Sequence, residues 1–298
     1  MGHYDQALLL SKSALKICKS ELGDRHSLTA TSLNNLAESY RSMGQYDRAL
    51  PLYESALEIM KLALGDRHPD TAQCLNNLAA LHSLMGQYDR ALPLYESALE
   101  IRKSELDDRH PDTATSLNNL AVLYKSMGEY DRALPLYESA LEIRKSELSD
   151  RHPDTAMSLN NLAMLHQSMG EYDRALPLYE SALEIKKSEL GDRHPSTATS
   201  VNNLAALYYS MGQYDRALPL LESALEIRKS ELGDRHPDTA TSLNNLAGLY
   251  YKTNRLPEAV TMLSSVVSIF EELLGPNHPN TVTVRGNLEK IQKAIANE

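Results

Sequence analysis

Residues 109–150 read RHPDTATSLNNLAVLYKSMGEYDRALPLYESALEIRKSELSD, and nearly the same words recur on both sides of them. Gly44, Gly86, Gly128, Gly170 and Gly212 fall 42 residues apart, as do His26, His68, His110, His152, His194, His236 and His278. A fixed period of this length denotes supersecondary units stacked in series, each touching only its neighbours.

One unit holds two helices. The first begins at His110-Pro111-Asp112, because proline suits the first helical position, where its missing N–H would have no partner. Asp112 then sits near the positive end of the helix dipole. Leu117, Leu120, Ala121, Leu123, Tyr124 and Met127 follow at helical spacing and form one apolar stripe. Gly128 ends the helix. The second helix starts near Tyr130 or Asp131, with Tyr130, Ala133, Leu134, Tyr137, Ala140, Leu141 and Leu148 facing inward. Pro135 lies in its first two turns and predicts a slight kink rather than a break, since the apolar period continues past it. Gly65, Gly191 and Gly233 close this helix elsewhere. Asp107 and Ser149 stand in their place twice and predict weaker caps.

Leu120, Ala121, Tyr124, Gly128, Tyr130, Ala133, Tyr137 and Ala140 have the spacing of a family, and the unit resembles the tetratricopeptide repeat. Its usual length is about 34 residues. The 42-residue form is similar to the repeats of kinesin light chains. The resemblance implies an all-α fold: a right-handed α-solenoid of stacked antiparallel helix pairs, a tetratricopeptide-like superhelix. It implies no enzymatic activity and no cofactor. HEAT and armadillo repeats lack the G-x-Y-x-x-A signature.

The chain of 298 residues holds about seven periods. It reads as a single solenoid over residues 1–298. Residues 1–25 form an unpaired second-type helix, matching Met1-Gly2-His3-Tyr4 to Met43-Gly44-Gln45-Tyr46. Residues 26–278 form six complete pairs, beginning near Ser27, Pro69, Pro111, Pro153, Pro195 and Pro237. Ser27 breaks the proline pattern. Residues 279–298 form a capping helix, with Val282, Leu288, Ile291 and Ile295 on one side and Lys290, Lys293, Asn297 and Glu298 on others. In the last pair Asn254 replaces the glycine, and Val260, Val266, Val267, Ile269 and Phe270 build a different core. Leu8, Leu9, Ala14 and Leu15 need cover at the other end. The unpaired halves suit head-to-tail self-association between copies, a contact that does not close on itself. A rival reading makes the chain a regulatory array cut from a larger protein.

A net charge of −10 argues against nucleic acid, which needs a basic footprint, and gives no support to an anionic membrane. No signal peptide or membrane-length apolar run is present. Cys18 and Cys74 lie in different repeats without ligand spacing and read as free thiols, which places the chain in the cytoplasm.

The first helix carries a polar face at Thr115, Asn118, Asn119, Val122, Lys125 and Ser126. In tetratricopeptide solenoids the first helices line the concave surface, so the resemblance implies a groove for an extended peptide or partner protein. An Asn pair recurs in all six complete units at 34–35, 76–77, 118–119, 160–161, 202–203 and 244–245. An amide carries two donors and an acceptor. The second member of each pair (Asn35, Asn77, Asn119, Asn161, Asn203, Asn245) is the candidate peptide contact, and an inter-repeat amide ladder is the alternative. Two positions vary from repeat to repeat. One holds Glu38, Ala80, Val122, Met164, Ala206 and Gly248. The other holds Arg41, Ser83, Lys125, Gln167, Tyr209 and Tyr251. They suggest a groove basic toward Arg41 and Lys125 and aromatic toward Tyr209 and Tyr251. Kinesin light chains take acidic peptides built around a tryptophan, a specificity that the sparse basic residues here do not carry over.

Successive histidines belong to successive units, about 10 Å apart, too far to share a metal with bonds of about 2 Å. Asp–Arg pairing along one edge accounts for the Asp-Arg-His loops. His82 and His166 replace tyrosine at a core edge as packing variants.

Overall fold

The computed structural model describes residues 3–296. The expectations for Met1, Gly2, Asn297 and Glu298 lie outside the described residues. Fourteen helices run through those residues, with no strand among them: α1 (His3–Leu22), α2 (Ser27–Ser42), α3 (Tyr46–Leu64), α4 (Pro69–Leu84), α5 (Tyr88–Glu105), α6 (Pro111–Ser126), α7 (Tyr130–Glu147), α8 (Pro153–Ser168), α9 (Tyr172–Leu190), α10 (Pro195–Ser210), α11 (Tyr214–Leu232), α12 (Pro237–Lys252), α13 (Leu256–Leu273) and α14 (Pro279–Ala296). All six expected pair starts coincide with helix starts, Ser27 included. The fold is the expected all-α stacking of helix pairs.

The chain divides into two compact units, Met1–Asp150 and Arg151–Glu298. In the first, α2 packs on α3, α4 on α5 and α6 on α7. In the second, α8 packs on α9, α10 on α11, and α12 on α13 with α14 behind. Within each unit the first helices of successive pairs also meet, α2 with α4 and α4 with α6, α8 with α10 and α10 with α12. Each unit therefore presents a layer of first helices.

Small residues set the close approach. Ala121, Ala133 and Ala140 are fully buried, and Tyr137 fills the space beside them. The five internal prolines from Pro51 to Pro219 leave their helices unbroken.

Each complete pair begins on a histidine. The ring Nδ1 of His110 accepts from the backbone N–H of Asp112 at 3.1 Å, and the same bond recurs at His26, His68, His152, His194 and His236. The ring thus does the work of a side-chain oxygen at the N-cap. It also explains why α2 starts at the same place without proline.

Asp107 and Ser149 adopt φ of 115° and 131°. Their helices α5 and α7 end at Glu105 and Glu147, one repeat position short of the glycine-closed α3, α9 and α11. α13 also ends one position short, at Leu273, although Gly275 closes it, so the helix end does not follow the glycine alone.

Three expectations are corrected. On α14 the buried residues are Thr281, Val284 and Ile291, while Val282 is 52% and Ile295 39% exposed. Val282 lies one residue, about 100°, off the inward stripe. On α1 only Leu8 and Leu15 pack inward, against α2; Leu9 and Ala14 remain exposed. Among the described residues the edge loops do not pair Asp with Arg side chains. Arg67, Arg109, Arg193 and Arg235 each reach a glutamate near the end of the following second-type helix, as Arg109 reaches Glu147 at 3.4 Å. The loop aspartates instead take the lysine five residues upstream, as Asp108 takes Lys103 at 3.7 Å. A lysine in the last helical turn lies within direct reach of the loop, so it wins the carboxylate.

Candidate functional site

The first-helix layer positions every candidate residue. Leu117, Leu120, Leu123 and Tyr124 turn inward and are buried, which leaves Asn119, Val122 and Ser126 on the opposite side at helical spacing. The two members of each Asn pair separate. Asn118 is buried, which corrects its placement on the polar face, and so are Asn34, Asn76, Asn160 and Asn202. They make the inter-repeat ladder: Asn34 Nδ2 donates to Cys74 Sγ at 2.9 Å, Asn76 to Ser116 Oγ at 3.2 Å and Asn160 to Ser200 Oγ at 3.3 Å.

The second members reach the surface. Asn35 is exposed; Asn77, Asn119, Asn161, Asn203 and Asn245 are half-buried. Asn77 Oδ1 accepts from Gln73 at 2.9 Å. Asn245 Nδ2 donates to Asn202 Oδ1 at 3.0 Å and closes the ladder there. The carbonyl oxygens of Asn34, Asn76 and Asn160 are buried with no such donor.

The variable positions behave unlike one another. Val122 is 42% exposed. Among the described residues Lys125 has no carboxylate partner, and burial holds its ammonium below the usual lysine range. Met164 is half-buried and packs on the core. Gln167 is fully engaged: its Nε2 donates to Ser210 Oγ at 2.8 Å on the next first helix, and its Oε1 accepts from Tyr179 at 2.8 Å. The Tyr209 ring leans on Tyr214 at 5.6 Å, and Tyr251 is 49% exposed.

Arg41 is not a free basic group. Its guanidinium takes both oxygens of Glu38, and Tyr53 Oη donates to the same carboxylate at 2.8 Å. Burial alone would raise the Glu38 pKa, but the bonds from Arg41 and Tyr53 bring it below the ordinary value. The expected basic end of the face is thereby reduced to Lys125. Glu38 comes from the other variable position, one turn upstream, where an acid and a base on one helix side pair with each other before they meet a ligand.

Sequence reasoning missed a buried arginine in the second helices. Arg102, Arg144 and Arg228 are 3–4% exposed. Arg102 Nη1 donates to Asp112 O at 2.8 Å and Ser116 Oγ at 3.2 Å on the next repeat, while Nη2 donates to Gln73 at 2.6 Å on its own partner helix. One side chain pins three helices. It also missed the cation–π stacks. Arg132 lies 4.0 Å over Tyr124, Arg216 4.1 Å over Tyr208 and Arg255 4.1 Å over Tyr250. Where His82 and His166 replace that tyrosine, the buried ring bonds instead to Gln87 and Glu171, each at 2.7 Å.

Among the described residues no three His, Cys, Asp or Glu side chains gather as a metal site would require. No helix of the described residues is long and apolar enough to cross a membrane. Cys18 and Cys74 are free thiols, as expected.

The tetratricopeptide repeat profile matches residues 1–61, 29–104, 84–146, 112–188, 154–230, 196–272 and 238–297. The chain belongs to the tetratricopeptide repeat family. Among solved structures, it is similar to BtubC (BKLC) from P. vanneervenii, with 25% identity, a TM-score of 0.63, and coverage of 78% of this chain and 94% of that one. It is also similar to a Podosopora anserina protein described as a kinesin light chain with nearly identical TPR-like repeats, with 30% identity, a TM-score of 0.56, and coverage of 67% and 95%. The apo form of RapI shares the fold at 20% identity, with a TM-score of 0.64 and coverage of 88% and 91%. No curated protein matches the chain. Tetratricopeptide repeat architecture, with kinesin-light-chain-like neighbours, supports a protein-interaction repeat scaffold.

Proposed function

We propose that the chain binds an extended peptide or a partner protein along the face of its first helices, with no catalytic step. One observation carries this reading: the two asparagines of each pair divide their work. The first is buried in five of the six complete repeats, Asn244 being half-buried, and the second comes to the surface at the same register in all six. A row of amides at one register suits a peptide backbone, whose donors and acceptors also repeat. Val122, Lys125, Tyr209 and Tyr251 then supply repeat-specific side-chain contacts. Arg41 and Gln167, already bonded, hold the face in shape. The free thiols support a reducing compartment, the cytoplasm.

A peptide-array screen of the wild type against Asn77→Ala/Asn119→Ala tests the reading. Retained peptides should bind the double variant at least about tenfold more weakly, the effect of one good polar contact. Equal retention by both proteins removes the amides from recognition.

A second reading, self-association, has one observation in its favour. The outer side of α1 exposes Leu9, Leu10 and Ile17 at 58, 70 and 60%. Mass growth with concentration in light scattering, abolished by Leu10→Glu/Ile17→Glu, supports it. A constant monomer mass refutes it.

A further inference from the structure

A recess of about 230 Å³ opens among the end of α9, the loop that leads to α10, and α11. Lys187, Asp192 and Arg193 line it from the loop, Ser223 and Glu226 from α11, and Val201 and Ile227 supply its apolar part. None of the candidate groove residues takes part in it. Val201 is 5% exposed and shares a small cluster with Ala198 and Ala224. Counting by 42, its position holds Leu33, Leu75, Leu117, Leu159 and Leu243 in the other complete pairs. The recess lies where this one pair is short of a carbon. Its charged groups are not equivalent. Lys187 is paired with Asp192 at 3.4 Å, and Arg193 with Glu231 at 3.1 Å. Among the described residues neither Glu226 nor the Ser223 hydroxyl has a partner, whereas Ser55 and Ser139 at the same register each donate to a proline carbonyl at 2.8 Å.

We propose that this recess binds a primary ammonium ion with a compact apolar body. An alkylammonium carries three donors and no acceptor, while the Glu226 carboxylate and Ser223 Oγ both accept. The bond to the carboxylate is charge-assisted and so the stronger of the two. The two cations of the lining already hold carboxylates, which leaves Glu226 as the group that selects the charge of the ligand. Val201 and Ile227 face the apolar body. An apolar cavity of about 150 Å³ already admits benzene, so the space here suits a body of about seven carbons. A net charge of −10 draws cations toward the chain. Leucine stands at the Val201 position in every other complete pair, so one site per chain is expected.

The test uses the full chain and ligand-observed fluorine NMR, with 4-fluorobenzylamine as the probe and 4-fluorobenzyl alcohol as its uncharged counterpart. Expected is binding of the amine in the millimolar range and at least about tenfold weaker binding of the alcohol. Val201→Leu, which installs the residue of the sister pairs, should abolish binding while the melting temperature holds or rises, because leucine is also the better helix former. Glu226→Gln should bring amine and alcohol together. Equal binding of amine and alcohol by the wild type overturns the carboxylate assignment. Unaltered binding by Val201→Leu overturns the recess. N-acetyl-lysine methylamide displacing the probe as well as unlabelled benzylamine does supports the site and assigns the ammonium to a lysine side chain of a polypeptide; displacement by benzylamine alone supports it and assigns a free amine. None of these outcomes depends on Asn77 or Asn119, so the peptide-binding reading stands or falls separately.

Discussion

Arg228 Nη1 donates to the carbonyl oxygen of Asp238 at 2.9 Å, across the junction between α11 and the next repeat. The same guanidinium reaches Ser242 Oγ at 2.9 Å and Thr199 Oγ1 at 3.0 Å. Among the described residues no carboxylate pairs with it, though it is only 4% exposed. Burial holds its pKa below the ordinary arginine range. Its two Nη groups are held by neutral acceptors while its buried Nε has no partner, and a buried cation so placed is tolerated only while those acceptors stay in place.

The chain contains its own control for this pin. Counting by 42, the arginine position reads Cys18, Met60, Arg102, Arg144, Lys186, Arg228, Phe270, and the facing position reads Ser32, Cys74, Ser116, Ser158, Ser200, Ser242, Val284; Ser32 donates to Cys18 at 3.2 Å in place of a cation. A cation always faces serine, and Met60 and Phe270 face less polar partners. Met60 and Cys74 share one apolar cluster, and Phe270 and Val284 another. Arg228→Met should therefore cost about 1–3 kcal/mol, because Ser242 and the Asp238 carbonyl lose their donor. Adding Ser242→Cys should recover about 1 kcal/mol, within the usual coupling of touching residues. Urea unfolding of the four proteins in the cycle measures it. Strict additivity would mean that the two positions do not read each other.

That pairing was legible in the sequence and needed only a column-by-column comparison of two positions together. The helix starts, the glycine beat, the buried alanines and the kink-tolerant prolines were legible because each depends on local chemistry. The division of each Asn pair was half legible. Periodicity places 118 and 119 only about 100° apart, and the bond that occupies a first member comes from a residue 40 positions on, as Ser116 does for Asn76. The pairing of Arg41 with Glu38 was harder still. Two residues read as independently variable sit three apart on one helix, and each cancels the other's charge.

Asp107, at φ 115°, sits where α3, α9 and α11 place Gly65, Gly191 and Gly233 at φ between 91° and 96°. Residues other than glycine cost about 1–3 kcal/mol in such regions. Asp107 Oδ1 offsets part of that by accepting from the Arg109 N–H at 3.0 Å, a bond worth about 1 kcal/mol. Asp107→Gly should thus stabilise the chain by about 0.5–1 kcal/mol. A thermal melt checks it. A loss of stability would show that the side-chain bond outweighs the strain.

His278 caps α14 by accepting from the Asn280 N–H at 3.2 Å, and burial lowers its pKa. A histidine with a depressed folded-state pKa favours folding in its neutral form. Its contribution is complete above the unfolded value of about 6.5 and is lost as pH falls from there through the folded value. Fraying of α14 should therefore grow below about pH 6.5 and be absent at pH 8. Hydrogen exchange at Val282 and Thr283 reads it directly. His278→Asn keeps a capping side chain without the titration, so its exchange should be flat over the same range. Parallel pH profiles for the two proteins would assign the fraying to other groups.

Glu38 holds Arg41 in a closed pair on the first-helix face, with Tyr53 as a third member. The next repeat carries alanine at the Glu38 position, Ala80, so Glu38→Ala is a substitution that this scaffold already accommodates. Removing the carboxylate leaves Arg41 beside a face whose other unpaired cation in this unit is Lys125. Acidic peptides should then bind more tightly, by about threefold to tenfold, and with a steeper dependence on salt, because a newly unpaired surface charge acts through screened attraction. Tyr53 loses its acceptor but remains packed among alanines, so the melting temperature should fall by only a few degrees, corresponding to about 1 kcal/mol. Fluorescence anisotropy with one acidic and one neutral peptide, at low and high salt, separates the charge effect from any general change. A variant whose affinity for both peptides is unchanged would place Arg41 outside the recognition surface altogether.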